Sequence, residues 1–204
     1  RYFRPIPRDR DQVFANFDGG FFDLISTLTS FPKIYHPYKD DIQYLKWFNN
    51  SGLSLDRMII RNATSEDWLR EAIFIQNNLT QQVIDKAFSK LPDEIDSSKL
   101  ENLVQTFKAR LTKLDEFATD YYKILNELPL LTATDKDDFI DVIRLDKGKT
   151  KIRISRNIKG KRKYSIVDKV FDEDITNEIW IYGLDDKDIF SVSGEHSSRI
   201  KIRL

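Results

Sequence analysis

The chain has 204 residues, of which 40% are hydrophobic; 33 are Lys or Arg and 33 are Asp or Glu, so its formal net charge is zero. That length suits one large domain or two small ones, and charge neutrality argues against a general electrostatic grip on nucleic acid or an anionic membrane. The absence of cysteine excludes disulfides, thiolate zinc sites and thiol nucleophiles, and no apolar run approaches the ~20 residues of a transmembrane helix.

The first segment, Arg4-Pro-Ile-Pro-Arg-Asp-Arg-Asp-Gln-Val-Phe14, is the one whose residues look chosen for chemistry. Pro5 and Pro7 fix φ and remove donors, which predicts a stiff extended strand over residues 1–7. Extended spacing then puts Asp9 and Asp11 on one face, with Arg8 and Arg10 on the other. Two adjacent hard oxygen ligands suit Mg²⁺ held together with substrate phosphates. The plainer alternative is that both carboxylates pair with the neighbouring arginines or cap the next element. Asp18-Gly19-Gly20 signals a turn, and Phe22, Leu24, Ile25 and Leu28 recur at near-helical spacing up to Pro32. His36, in an aromatic-rich loop, reads as a surface residue without a partner cluster.

From Ile42 to Glu127 the apolar period is helical. Leu53 to Ile60 is a short helix with Leu55, Met58 and Ile59 expected to face inward. Thr64-Ser-Glu-Asp67 is a capping box, in which Asp67 replaces the usual Glu or Gln. Thr80 caps the next helix, and capping also explains the Asn62-Ala-Thr64 and Asn78-Leu-Thr80 sequons. Ser97 or Ser98 opens a long amphipathic stretch through Leu125, with a break near Asp115. Lys108, Arg110, Lys113 and Lys123 alternate with acids as a solvated face.

Beyond Pro129 the period becomes two. Six strands are predicted, at 139–144, 149–155, 163–168, 178–182, 189–193 and 199–203, with turns between them. The fold class is therefore α+β: a helical part over 1–130, entered by a strand, and an antiparallel, sandwich-like β module over 131–204. No internal repeat is evident. In the turn Gly183-Leu-Asp-Asp-Lys-Asp188, Asp185, Asp186 and Asp188 could present oxygens to Ca²⁺, or simply make an acidic hairpin. Trp180, Tyr182 and Phe190 could form a sugar platform, although sheet packing explains them too. The chain opens at Arg1 without Met and stops in a strand pattern at Leu204, which suggests a piece of a longer polypeptide.

The chain resembles a segment of large envelope proteins of Bacteroidetes-type bacteria. The likeness rests on Arg4 to Phe14 with Phe17-Asp-Gly19, on Leu55-Asp-Arg57 followed by Asp67-Trp68, on Ala118 to Leu125 with its paired tyrosines, and on Ile181-Tyr-Gly-Leu184 through Gly194. In that family the segment lies between a calcineurin-like metallophosphoesterase domain and an outer-membrane assembly-type β-barrel. Its N-terminal motif is similar to atypical kinases of the spore-coat H and HipA kind, whose C-terminal lobe residues 1–130 would then resemble. The resemblance implies that Asp9 and, less directly, Asp11 are Mg²⁺ ligands, with Gln12 beside them. It also implies a periplasmic or envelope location and flanking domains of the same polypeptide as partners.

The expected catalytic loop, a Gly-rich nucleotide loop and a phosphate-pairing Lys are not identifiable here, and phosphoryl transfer needs all its parts together. Two histidines, His36 and His196, cannot supply phosphoesterase ligands. The expected function is a non-catalytic linking or docking module. The alternatives are a kinase-like lobe active only in its parent, and a calcium- or carbohydrate-binding β module.

Overall fold

A computed structural model describes residue 14 and residues 38–204 other than 93. The predicted entry strand, the Phe21–Phe31 segment and His36 lie outside the described residues. The described chain is α+β, with six helices followed by seven strands. The helices are α1 (Leu45–Phe48), α2 (Leu53–Ile59), α3 (Ser65–Asn78), α4 (Gln81–Phe88), α5 (Ser97–Thr112) and α6 (Leu114–Glu127). None of them is long and apolar enough to cross a membrane. The strands are β1 (Leu130–Thr132), β2 (Asp138–Arg144), β3 (Lys149–Ile158), β4 (Lys161–Asp172), β5 (Glu178–Tyr182), β6 (Ile189–Ser193) and β7 (Lys201–Arg203).

Local chemistry starts the helices where the sequence places them. The Thr64 N–H donates to Asp67 Oδ2 at 2.9 Å, while the Asp67 N–H donates to Thr64 Oγ1 at 3.2 Å, so the box is reciprocal. Thr80 accepts from the Val83 N–H at the head of α4. Asp96, one residue before the expected start, caps α5 by accepting from the Ser98 and Lys99 N–H groups. The long amphipathic stretch breaks at Lys113, between α5 and α6.

The residues form two compact units, 1–50 with 70–117, and 51–69 with 118–204. Within the first, Gln76 Nε2 donates to the Leu111 carbonyl and to Asp115 Oδ1, tying α3 to the α5–α6 break. The rings of Phe88 and Phe107 meet edge to face, 5.6 Å apart. The second unit holds all seven strands together with α2 and most of α6.

Two sheets enclose the second unit's core. One has the order β1-β5-β7, the other β4-β3-β2-β6. Leu131, Ile179 and Ile181 from the first pack with Ile140, Val142, Ile152, Ile154, Val167 and Phe171 from the second. The antiparallel expectation needs correction. β2–β3 and β3–β4 are antiparallel, but β1–β5, β5–β7 and β2–β6 run parallel. The reason lies in the register. Leu130 pairs with Trp180 and Phe139 with Ile189, the same offset of fifty residues in both sheets. The chain therefore makes one turn of a flattened coil through β1 and β2. It then leaves as the β3–β4 hairpin and returns to lay β5 and β6 on that first rung. β7 begins a third level by pairing Ile202 with Ile179. Parallel stacking of this kind is the logic of β-solenoids.

Side chains keep the same step. The Lys187 N–H donates to Asp137 Oδ1, the Asp138 N–H to Asp188 Oδ1, Ser191 Oγ to Asp141 Oδ1 and Ser198 Oγ to the Gly148 carbonyl, each across fifty residues. Gly194, at φ +99°, passes so close to the first rung that a Cβ there would sit 2.1 Å from the Arg144 carbonyl oxygen.

The inward face of α2 also differs from expectation. Leu55, Met58 and Ile59 are exposed, and Leu53 is buried. Polar anchors decide the matter. Tyr121 Oη donates to Asp56 Oδ2 at 2.6 Å. Arg57 donates to the Leu125 and Ile124 carbonyls, which are orphaned at the end of α6. Arg61, just past α2, donates to the carbonyl and hydroxyl of Thr132 on β1.

Candidate functional site

The polar concentration in the strand-bearing unit surrounds Lys169. The alternation of β4 points Val167, Lys169 and Phe171 inward, so a lysine occupies an apolar phase. Lys169 is 7% exposed. Its ammonium donates to the Arg61 carbonyl at 3.2 Å and to the Ala63 carbonyl at 2.8 Å, holding the α2–α3 loop against the sheet. Tyr122 and Phe171 present ring faces at 5.2 and 5.4 Å. Burial lowers its pKa to about 8, against a smaller opposing pull from Asp67. Burial likewise raises the Tyr122 phenol, with Glu66 adding to the effect.

Beside this lysine lies a cavity of about 480 Å³. The head of α3 (Thr64, Ser65, Glu66), Tyr122 and Asn126 from α6, Lys149 from β3 and residues 168–172 of β4 line it. Its charges nearly cancel, with Lys149 and Lys169 set against Glu66, Asp168 and Asp172. Asp168 is already engaged by Lys151 at 2.6 Å and Arg153 at 3.6 Å. At the head of α3 the Glu66 carboxylate accepts from its own backbone N–H and from the Thr64 and Ser65 side chains. Beside the cavity, Lys169 staples the α2–α3 loop to the sheet through the Arg61 and Ala63 carbonyls.

A second buried charge cluster fixes the first rung's turn. Asp138 is fully buried and accepts from the Thr134 N–H and hydroxyl at 2.7 Å and from Arg156 Nη1 at 2.9 Å. On the outer face, Asp141 pairs with Arg162 at 2.7 Å, and that guanidinium lies 4.4 Å over the Phe139 ring.

Asp9, Asp11, Arg8, Arg10 and Gln12 lie outside the described residues. Asp185, Asp186 and Asp188 occupy the β5–β6 turn and address three different partners. Asp185 accepts from the Asp186 N–H, Asp186 pairs with Lys136 at 3.5 Å, and Asp188 accepts from the Asp138 N–H. Burial, more than anything else, raises the Asp188 pKa, partly offset by that N–H. Among the described residues no group of three or more His, Asp or Glu is arranged to hold a metal. Trp180 and Tyr182 sit side by side on the outer face of β5, with ring centroids 6.3 Å apart. Phe190 belongs to the other sheet and shares the inward face of Ile140, so the three rings form no common platform.

Two of the looser motif blocks meet, and the block from Ile181 to Gly194 is not among them. Asp56 and Arg57, Asp67 and Trp68, and Tyr121 to Leu125 meet around the end of α6, where Trp68 and Tyr121 pack edge to face at 5.7 Å. Sequence reasoning missed Lys169, Asp138 and Arg61. For Lys169 a signal existed, namely a lysine in step with Val167 and Phe171.

Comparison with known protein families, with curated proteins and with solved structures returns no match.

Proposed function

We propose that the chain is a non-catalytic linking module of a larger cell-envelope protein, docking neighbouring domains of the same polypeptide. The supporting observation is the coil, in which successive rungs stack at one constant offset and the outer edge of β6 pairs with no described strand. Rungs of this kind are spacers and stacking surfaces, stable through contact with the next unit. The two motif blocks that meet fit the same role, because Arg57 goes to the carbonyls ending α6, Asp67 to the head of α3 and Asp56 to the Tyr121 hydroxyl. The envelope setting and the flanking domains rest on the resemblance carried by Arg4 to Phe14 with Phe17-Asp-Gly19, by Leu55-Asp-Arg57 with Asp67-Trp68, by Ala118 to Leu125 and by Ile181 to Gly194.

The test is phosphotransfer in the full polypeptide with ATP and Mg²⁺, before and after Asp9→Asn. A linking module gives the same rate for both proteins. Activity that disappears with Asp9→Asn replaces this reading with a kinase-like lobe.

A further inference from the structure

Phe190 and Val192 pair with Ile140 and Val142 of the rung below, and paired residues of parallel strands share a face. Ile140 and Val142 are 0% and 2% exposed, core positions of the sandwich. Phe190 and Val192, in the same column one level up, are 43% and 70% exposed. The difference is one of cover. On the first rung, β3 borders the far side of β2, and Arg61 binds the Thr132 carbonyl of β1. On the second, β7 covers β5, while the outer edge of β6 pairs with no described strand. Ile189-Phe-Ser-Val-Ser193 carries no charge and no proline, the devices by which proteins blunt an open edge.

We propose that β6 is an acceptor edge for one more parallel strand, supplied by the neighbouring segment of the same polypeptide, which lies on Phe190 and Val192 and completes the level that β7 begins. This rests on the linking role proposed above. The direction follows from the coil, since each strand stacked on an earlier rung runs parallel to it. The reach follows too. Five residues join β1 to β2 and six join β5 to β6, so a connection of that size carries the path from β7 to β6. The chemistry of the occupant is set by what lies beneath. It needs apolar, preferably β-branched or aromatic side chains at the two positions over Phe190 and Val192. Over Ser191, whose hydroxyl is held by Asp141, it needs a small or polar residue. Main-chain hydrogen bonds supply the affinity and these two columns supply the register.

Amide hydrogen exchange over residues 189–193 tests the proposal. It compares the 204-residue chain with the full polypeptide that the proposed linking role requires. The β6 amides that point away from β2 should exchange at open-edge rates in the shorter chain. In the longer one they should slow by at least about a hundredfold, as expected for paired strand amides. Val192→Lys should restore fast exchange in the longer chain and leave the shorter chain's melting midpoint within about a degree, since exposed sites tolerate change. Equal exchange in both chains, with a protease-resistant junction, overturns the strand acceptor and leaves the linking role standing. A reading frame that stops at Leu204, or a freely cleaved junction with equal exchange, removes both. Slow exchange in the shorter chain that tracks protein concentration and a dimer by sedimentation assigns β6 to a second copy and overturns the proposal.

Discussion

Lys169 is a cation held where the strand's alternation calls for an apolar side chain. Its folded-state pKa of about 8 lies below the ordinary 10.5, so the unfolded chain binds more protons between those values. Stability should therefore rise as pH climbs from about 8 to about 10.5, and the penalty is fully present below 8. The gain is on the order of 3 kcal/mol at most. Urea unfolding of the native chain and of Lys169→Met, at pH 7.5 and pH 10, measures it. The native chain should gain relative to the variant, which keeps the apolar stem and loses the charge. A parallel response of the two proteins would show that the ammonium is not strained by its burial.

At the level of the element, the acidic connection into β2 is a structural part. Removing one partner of a buried ion pair costs about 3–5 kcal/mol, because the other is left uncompensated. Asp138→Ala should cost that much, since it leaves the Arg156 charge with only the Thr134 hydroxyl and the Asp137 carbonyl and removes the acceptor of the Thr134 N–H. Asp135→Ala, at an exposed position in the same connection, should shift stability by no more than about 0.5 kcal/mol. Urea midpoints check the pair, and equal losses would mean that the turn owes nothing to the Asp138 network.

The helices, the reciprocal box at Thr64 and six strands were legible because each is written in local chemistry. β1 was missed because three residues after Pro129 carry no alternation, and what makes them a strand is pairing with residues 180–182. Strand direction was hidden for the same reason. The fifty-residue step is faint in the sequence because the stacked stretches share only Asp135 with Asp185, Asp138 with Asp188 and Val142 with Val192, while Lys151-Ile-Arg153 recurs as Lys201-Ile-Arg203 on strands that do not pair. The inward face of α2 was misjudged because apolar count favours Leu55, Met58 and Ile59, whereas Asp56 and Arg57 find partners on α6.

For the whole molecule, the change of period near residue 129 marks where strands begin, but it does not mark the edge of a compact body. The strand-bearing unit includes residues 51–69, and these supply Arg57, Arg61 and the carbonyls that hold Lys169. A chain beginning at residue 128 should therefore unfold less cooperatively, with a midpoint far below that of the 204-residue chain. Circular dichroism against temperature gives the answer, and equal midpoints would mean that the sheets stand without α2. The parallel coil has a mechanical consequence as well. β1 enters the stack at one end of its strand direction, and β7, two levels away and running the same way, leaves at the other. Tension applied between Leu130 and Arg203 would slide neighbouring strands lengthwise past each other. Many hydrogen bonds would then share the load at once instead of opening singly.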